Sequence, residues 1–257
     1  MSLAATVQAF VIGAVSGVLS GAFGIGGGIV TTPAIRLILK APALVAVGTP
    51  LPVIVPGALT GAWTYARSGL ADVRAAVTIG AVGSAASIAG AFASKAAGGS
   101  AVMVATAALL VYVALDTAVW AARAGRADSA RPAARPTGGR LAAVGLAAGL
   151  YSGFLGLGGG FVIVPLLARW LGFDMKRAVG TSLLAVAILA VPGSVTHYLL
   201  GHVDLAIAAG LVLGVVPGAA LGSRLTVLAR EAVVRYAFAA MLVCVAVWLA
   251  VGELTAV

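Results

Sequence analysis

Long apolar stretches separated by short polar turns make up most of the chain. Three examples are "LAATVQAFVIGAVSGVLSGAF", "LVAVGTPLPVIVPGALTGAWTYA" and "AVMVATAALLVYVALDTAVWAA". Each reaches the roughly 20 residues that a membrane-spanning helix needs. Strands of a membrane barrel would alternate apolar and polar positions, and these stretches do not. The pattern therefore predicts an all-α polytopic membrane protein.

The second half of the chain repeats the first half after a shift of 132 positions, without a gap from about Gly17 to Asp72. The clearest match pairs "SGAFGIGGGIVTTP" at 20–33 with "SGFLGLGGGFVIVP" at 152–165. The triplet "VGT" then follows in both halves, at 47–49 and at 179–181. Matched spacing over such a length indicates a duplicated chain. We expect two transmembrane repeats, residues 1–121 and 141–257.

A basic segment, residues 122–140, joins the two repeats. It contains one acid, Asp128, against five arginines, namely Arg123, Arg126, Arg131, Arg135 and Arg140. The positive-inside rule places such a linker in the cytoplasm. We expect each repeat to hold a glycine-broken hairpin, which spans or re-enters the membrane, and three spanning helices. Those helices are predicted at about 44–66, 73–92 and 101–120, and at 178–199, 205–224 and 236–251.

Two topologies compete for the second half. If residues 141–171 return to the cytoplasmic side as a hairpin, six basic residues of the second half lie inside. If this segment crosses the membrane once, all six lie outside. These residues are Arg169, Lys176, Arg177, Arg224, Arg230 and Arg235. The charge bias favours the hairpin, which makes the second repeat inverted relative to the first. Inverted repeats recur in secondary transporters, because two equivalent halves can open a central site to either side. The pattern thus points to transport.

Composition narrows the class further. With 62% hydrophobic and only 9% charged residues, the chain could not cover a water-facing surface. The net charge of +9 is explained by short basic connections rather than by nucleic-acid binding. Cys244 is the only cysteine, so no intrachain disulfide forms. The amino terminus has neither a basic n-region nor a small-residue cleavage site, so we expect a retained first helix.

The duplicated glycine breaks are the strongest functional signal. The segment from Leu3 to Leu39 is too long for one span and slightly short for two. Lipid cannot satisfy the backbone groups that "GIGGG" frees, so these groups must line a cavity or contact protein. A helix that starts at Ile29 or Phe161 points its free N–H groups and its positive dipole end at the loop. Two such ends that converge would bind an anion without a buried cation.

The glycines have two other interpretations. Spacings of four, as in Gly17 and Gly21, Gly149 and Gly153, and Gly214, Gly218 and Gly222, are typical helix-packing devices. The breaks lack the last glycine of a dinucleotide-binding fingerprint and the G-K-[ST] of a phosphate loop, so no cofactor is indicated. The chain also shows no nucleophile with a base and no cluster of metal ligands, which argues against an enzyme.

The paired "SGxxGxGGGxxxxP", each followed by "VGT" and a proline- or glycine-broken helix, resembles the TauE/SafE sulfite exporter family, also called the toluene sulfonate uptake permeases. "GVVPGAALGSRL" at 214–225 completes the likeness. The resemblance covers nearly the whole chain outside the basic linker, and it implies a secondary carrier for sulfite, sulfonates or related organic anions. The first half departs from the pattern at "GAVGSAASIAGAF", residues 80–92, which has no proline.

Hydrogen-bond donors are scarce in the apolar helices, so the candidate substrate-binding residues are few. They are the glycines of the two breaks, hydroxyl side chains near them, the "VGT" threonines and one histidine: Gly26, Gly27, Gly28, Gly158, Gly159, Gly160, Ser20, Ser152, Tyr151, Thr31, Thr49, Thr181 and His197. Serine and threonine in such helices usually bond back to their own helix, which is the alternative for each. His197 could carry a coupling proton or be structural.

Other polar residues have plainer interpretations. Trp63, Tyr65 and Tyr198 suit an interfacial aromatic belt. Asp72 and Asp204 suit helix N-caps, and Asp116 suits a pair with Arg123 or snorkelling to the interface. Four cations flank the hairpins and either attract anions or only determine topology: Arg36, Lys40, Lys176 and Arg177.

We therefore predict a secondary transporter that moves a small organosulfur anion across the cytoplasmic membrane of a prokaryote by alternating access. The anion would be sulfite, a sulfonate or similar to sulfoacetate, and proton coupling is left open. The alternatives are an anion channel and an exporter of a non-sulfur carboxylate. The expected partners are the anion and membrane lipid but not nucleic acid. Small-residue helix faces would permit a homodimer.

Overall fold

The computed structural model describes residues 3–124 and 137–255, and these residues form eleven α-helices and no strand. The helices are α1 (Leu3–Phe23), α2 (Gly28–Leu37), α3 (Ala43–Gly48), α4 (Pro50–Arg67), α5 (Val73–Ala97), α6 (Gly99–Ala124), α7 (Gly138–Leu155), α8 (Gly160–Trp170), α9 (Met175–Leu199), α10 (Leu205–Leu228) and α11 (Glu231–Thr255). The all-α prediction is confirmed. Residues 125–136 of the predicted basic linker, with Arg126, Asp128, Arg131 and Arg135, lie outside the described residues.

Seven stretches of the described chain are long and apolar enough to cross a membrane. They lie in α1, α5, α6, α9, α10 and α11, and in α3 and α4 taken together. In contrast, α2 and α8 have only 10 and 11 residues. At about 1.5 Å per residue, neither can cross a hydrocarbon core of about 30 Å. The chain is therefore a multi-pass membrane protein in which two short helices begin inside the protein, and their orientation relative to the membrane stays a prediction.

The helices of the second half follow the order of those in the first. In this order α1 corresponds to α7, α2 to α8, α3 with α4 to α9, α5 to α10 and α6 to α11. The closest packing is between halves, because α1 lies along α10 and α7 lies along α5. The pairs α4 with α9 and α6 with α11 also cross between the halves. Each half thus completes its packing only with the other.

Glycine stripes allow this close packing. Gly13, Gly17 and Gly21 of α1 lie on the backbone of α10 at Leu211, Val215 and Ala219. Their repeat equivalents in α7, Gly145, Gly149 and Gly153, lie on the backbone of α5 at Ile79, Gly83 and Ser87. These three α5 residues are in turn the repeat equivalents of the three contacted residues of α10, again at a shift of 132 positions. A Cβ atom on any of the six would overlap backbone atoms of the neighbouring helix. The packing interpretation of these glycine spacings is confirmed. The same close packing is found at α5, although α5 lacks the proline that α10 contains.

Candidate functional site

The two glycine breaks interrupt the chain where the repeat predicts them. One break separates α1 from α2 and the other separates α7 from α8. In both, the first, third and fourth residues have a positive φ, at Gly24, Gly26 and Gly27 and again at Gly156, Gly158 and Gly159. Residues with a side chain adopt this region only at a cost, so the shared G-x-G-G order is a requirement of the backbone. We call residues 24–28 and 156–160 the two glycine loops.

The two glycine loops lie in contact with each other. A Cβ atom on Gly28 would be 2.6 Å from the carbonyl oxygen of Gly156, and one on Gly160 would be 2.8 Å from Cα of Ile25. Ile54 and Val186, which are also equivalent in the repeat, pack on either side of the contact. All ten residues of the loops are buried. The loops therefore meet, as their equivalence suggested, in a closed arrangement that must open before a solute can lie between them.

Two helix N-termini begin at this contact. The N-cap residues of α2 and α8 are Gly27 and Gly159, and neither helix has a side-chain hydrogen bond at its cap. The first N–H groups of a helix have no partner within the helix, and they carry its positive dipole end. This end of α2 and of α8 is consequently able to bind an anion.

Ser20 and Ser152 lie beside the glycine loops with unused hydrogen-bonding capacity. Both side chains are fully buried, and neither hydroxyl has a hydrogen-bond partner within the described part of the chain. Their carbonyl oxygens accept the N–H groups of Gly24 and Gly156, at 2.8 and 2.9 Å. Cβ of Ser20 lies 3.6 Å from where a Cβ on Gly27 would be. A buried hydroxyl without a partner costs about 1–3 kcal/mol, and this cost recurs at two equivalent positions, so Ser20 and Ser152 remain candidates for contact with a ligand.

The three threonines predicted to bind substrate use their hydroxyls in hydrogen bonds within the protein. The hydroxyl of Thr49 accepts the backbone N–H of Asp204 at 3.0 Å, and that of Thr181 accepts the N–H of Asp72 at 2.9 Å. These equivalent bonds tie a turn of each half to the other half. Thr31 donates to the carbonyl oxygen of Gly27, which is the bond within its own helix that the alternative interpretation expected.

Tyr151 is half-buried and faces a different space. It lines a cavity of about 490 Å³ between α6, α7 and α8, together with Tyr112, Asp116 and Arg169. Asp116, for which the sequence suggested Arg123 as a partner, forms an ion pair with Arg169. The structure thus brings Ser20 and Ser152 to the glycine loops and places Tyr151 at this separate cavity.

The remaining charged residues mostly have partners on neighbouring elements. Asp72 caps α5 by accepting the N–H of Ala75, and Asp204 caps α10 in the same way, which confirms both predicted caps. The flanking cations bond to nearby groups: Arg177 to the carboxylate of Asp72, Lys176 to the carbonyl of Val227 and Arg36 to the carbonyl of Ala41. Their role in attracting anions stays a prediction.

The aromatic-belt interpretation is wrong for Tyr65 and stays a prediction for Trp63 and Tyr198. Trp63 and Tyr198 are exposed, as residues at a membrane interface would be. Tyr65 is instead fully buried, and its hydroxyl donates to the carbonyl oxygen of Gly21 at 3.2 Å. Tyr65 therefore stabilises the last turn before the first glycine loop.

His197 is the repeat equivalent of Tyr65 and makes the equivalent contact. Its Nε2 lies 2.7 Å from the carbonyl oxygen of Gly153, the counterpart of Gly21. Its Nδ1 lies 3.2 Å from Nδ1 of His202, which is buried in the turn between α9 and α10. Burial, and then the positive charge of Lys95, lower the pKa of His202. Sequence reasoning missed His202, although the shift of 132 positions pairs it with Leu70 and could have drawn attention to it.

Two further side chains, outside the predicted substrate-binding set, hold the loops. The hydroxyl of Ser182 donates to the carbonyl oxygen of Gly24 at 2.8 Å, and that of Thr32 donates to the carbonyl oxygen of Gly156 at 3.3 Å. Both bonds cross from one half to the other. Each loop is therefore held by a side chain of the opposite half.

The chain is similar to known membrane proteins over nearly its whole length. The sequence profile of the family described as "Sulfite exporter TauE/SafE" matches residues 9–249. "Probable membrane transporter protein YunE" of Bacillus subtilis is 28% identical over 84% of this chain and 85% of its own length. A "Probable membrane transporter protein" of Xylella fastidiosa is 28% identical over 86% of both chains. No solved structure matches the chain significantly.

Proposed function

Because the chain belongs to the TauE/SafE sulfite exporter family of membrane transporters, we propose that it is a secondary transporter for a small organosulfur anion. Sulfite, a sulfonate or a sulfoacetate-like anion is the substrate, and it crosses the cytoplasmic membrane by alternating access. The name of the family and the chemistry of the glycine loops both support an anionic solute.

The paired arrangement at the glycine loops carries this proposal. Two helix N-termini start at one contact, and beside each loop lies a fully buried serine hydroxyl that has no partner in the part of the chain that the structure describes. Sulfite and sulfonate oxygens accept hydrogen bonds, so peptide N–H groups and Ser20 and Ser152 are suitable donors. Binding by helix dipoles and hydroxyls avoids the large cost of burying an unpaired lysine or arginine in the membrane.

The way the halves hold each other supports alternating access. Each loop receives hydrogen bonds from the opposite half, through Ser182 and Thr32. Movement of one half against the other would therefore separate the loops and expose the serine hydroxyls. Because the two halves are equivalent in their packing, the same movement can open the site to one side or to the other.

Counterflow in proteoliposomes tests the proposal. Vesicles are loaded with one unlabelled anion, and uptake of the same labelled anion is measured for sulfite, taurine, sulfoacetate and acetate. We expect saturable exchange for at least one sulfur anion and little for acetate. Exchange of acetate alone would favour the carboxylate exporter, and flux that does not saturate and cannot be driven by a counter-gradient would favour a channel.

Valine at Gly27 or Gly159 tests whether the loops bind substrate. Both residues have a positive φ and closely packed neighbours, so Gly27→Val and Gly159→Val should abolish counterflow. Gly69→Val and Gly201→Val are matched controls, because these glycines also have a positive φ but no atom lies within 4 Å of an added Cβ. The controls should retain most of the transport. Equal losses of protein yield and transport in all four variants would instead assign the loop glycines to folding alone.

A further inference from the structure

The two histidines of the chain form one contact pair at the end of α9. His197 is fully buried and His202 is nearly so, with 6% of its surface exposed. Their Nδ1 atoms are 3.2 Å apart, and Nε2 of His197 is 2.7 Å from the carbonyl oxygen of Gly153. The pair thus forms a chain of hydrogen bonds from the turn after α9 to the helix that carries the second glycine loop.

The geometry fixes where the protons of the neutral pair are. A carbonyl oxygen only accepts, so Nε2 of His197 carries a proton and its Nδ1 has a free lone pair. The short contact between the two Nδ1 atoms then requires that His202 carries its proton on Nδ1. In this state, Nε2 of His202 is the only ring nitrogen of the pair that can take up a further proton without breaking a bond.

The same geometry limits the pair to one added proton. Protonation at Nε2 of His202 keeps both existing hydrogen bonds and leaves a single positive charge on the pair. A second proton would have to be on Nδ1 of His197, where it would face the N–H of His202 at 3.2 Å. Two donors and two like charges at that distance repel each other, so the pair holds either no net charge or one.

The first half of the protein has the same backbone without a titratable pair. The equivalents of His197 and His202 are Tyr65 and Leu70. The N–H of Leu70 bonds to the carbonyl of Tyr65, and the N–H of His202 bonds to the carbonyl of His197, both at 2.9 Å. The turn therefore needs no histidine for its fold, and the pair is a chemical difference between two otherwise similar turns.

Few charged groups lie near the pair within the described chain. Lys95, at the end of α5, acts on His202 through its positive charge. Asp204, two residues beyond His202, uses its carboxylate to cap α10 at Ala206 and Ile207. From α3 and α7, the backbone at Gly48 and Gly153 faces the pair. Because no carboxylate of residues 3–124 and 137–255 is bonded to either ring, an anionic substrate would be the natural counter-charge for a protonated pair.

We propose that His197 and His202 form a one-proton site through which a proton is transported together with the anion. This inference rests on the proposed function. His202, which keeps 6% of its surface exposed, takes up the proton at Nε2, and His197 links the charged ring to the carbonyl of Gly153, which is next to Ser152. The charged His202 strengthens its own hydrogen bond to His197 and, by polarising that ring, the bond from His197 to Gly153, and a positive charge on the side of Ser152 favours an anion. Proton and anion binding therefore favour each other, which is the requirement for cotransport.

Two substitutions in the histidine pair test the proton site. His202→Leu installs the side chain that the equivalent turn already accommodates, and His197→Gln keeps a donor for Gly153. Radiolabelled taurine, sulfoacetate and sulfite are used, whichever the wild-type protein exchanges. An inward gradient of one pH unit can drive accumulation of a monoanion carried with one proton by up to about tenfold. We expect the wild-type protein to accumulate the anion, both variants to lose accumulation and His202→Leu to keep counterflow.

The outcomes separate this inference from the proposed function. If the wild-type protein exchanges no sulfur anion, the proposed function fails. If it exchanges the anion and His202→Leu still accumulates it with the pH gradient, the proton site is refuted. Tyr65→Phe serves as the matched control at the equivalent position, and it should keep gradient-driven accumulation.

A second measurement does not depend on transport. With histidines labelled by nitrogen-15, the spectrum contains two imidazoles, one for each histidine of the sequence. We expect a protonated Nε2 on His197, a protonated Nδ1 on His202 and uptake of one proton by the pair as the pH falls. Two independent titrations, with one proton taken up by each ring, would overturn the proposal even if the variants failed to fold.

Discussion

Replacement of Ser20 and Ser152 by alanine should improve the stability of the protein and damage its transport. Both hydroxyls are fully buried and have no partner within the described residues. Alanine removes the hydroxyl and keeps Cβ, so the packing of α1 and α7 changes little. If the hydroxyls serve only the substrate, stability and transport must respond in opposite directions.

The magnitudes follow from the state of these hydroxyls. A buried polar group without a partner costs about 1–3 kcal/mol, so each substitution should raise the free energy of unfolding by up to that amount. A hydrogen bond to a charged ligand contributes about 1.5–3 kcal/mol, and its loss should raise the half-saturating concentration of the anion roughly 10- to 150-fold. The double variant should be affected more than either single variant, because the two serines lie beside different loops.

Counterflow kinetics and thermal unfolding of the purified protein measure the two effects. Thr117→Val is the matched control, because Thr117 of α6 is also fully buried without a partner in the described chain, and valine keeps its shape. This control should gain stability and leave the half-saturating concentration unchanged. An unchanged half-saturating concentration in both Ser20→Ala and Ser152→Ala would refute the assignment of these hydroxyls to the substrate, and a fall in stability would show that they have partners in the folded protein.

Three further predictions concern contacts around the site. Thr49→Val and Thr181→Val should each lower the free energy of unfolding by about 1–3 kcal/mol, because each leaves a backbone N–H at a turn without its acceptor; equal melting temperatures of variants and wild type would contradict this. Tyr65→Phe should cost about 1 kcal/mol of stability through loss of the bond to Gly21, with counterflow retained; complete loss of exchange would instead assign Tyr65 to the transport site. The pKa of His202 is lowered in the folded protein, so below about pH 6.5 the unfolded chain binds more protons than the folded protein does. The melting temperature should therefore decrease as the pH falls below that value, and it should decrease less in His202→Leu. The same pH dependence in both proteins would count against the lowered pKa.

The sequence by itself determined the membrane class, the bounds of most helices and the two breaks. In lipid every backbone group must be satisfied within its own helix or against protein, so runs of apolar residues are sufficient to predict spanning helices. The positive φ values of Gly24 and Gly156 could be inferred for a related reason, since glycine adopts this conformation most readily. Both inferences depend on local chemistry, which one stretch of sequence contains.

Only the tertiary structure decided which polar groups are available for a substrate. The hydroxyls of Thr49 and Thr181 bond to turns 155 and 109 positions away, whereas Ser20 and Ser152 have no partner among the described residues. The contact of His197 with both Gly153 and His202 likewise depends on how α9 packs on α7. Hydrogen bonds act over about 3 Å, so residues of the same type and in equivalent positions acquire different roles only when the helices are packed together.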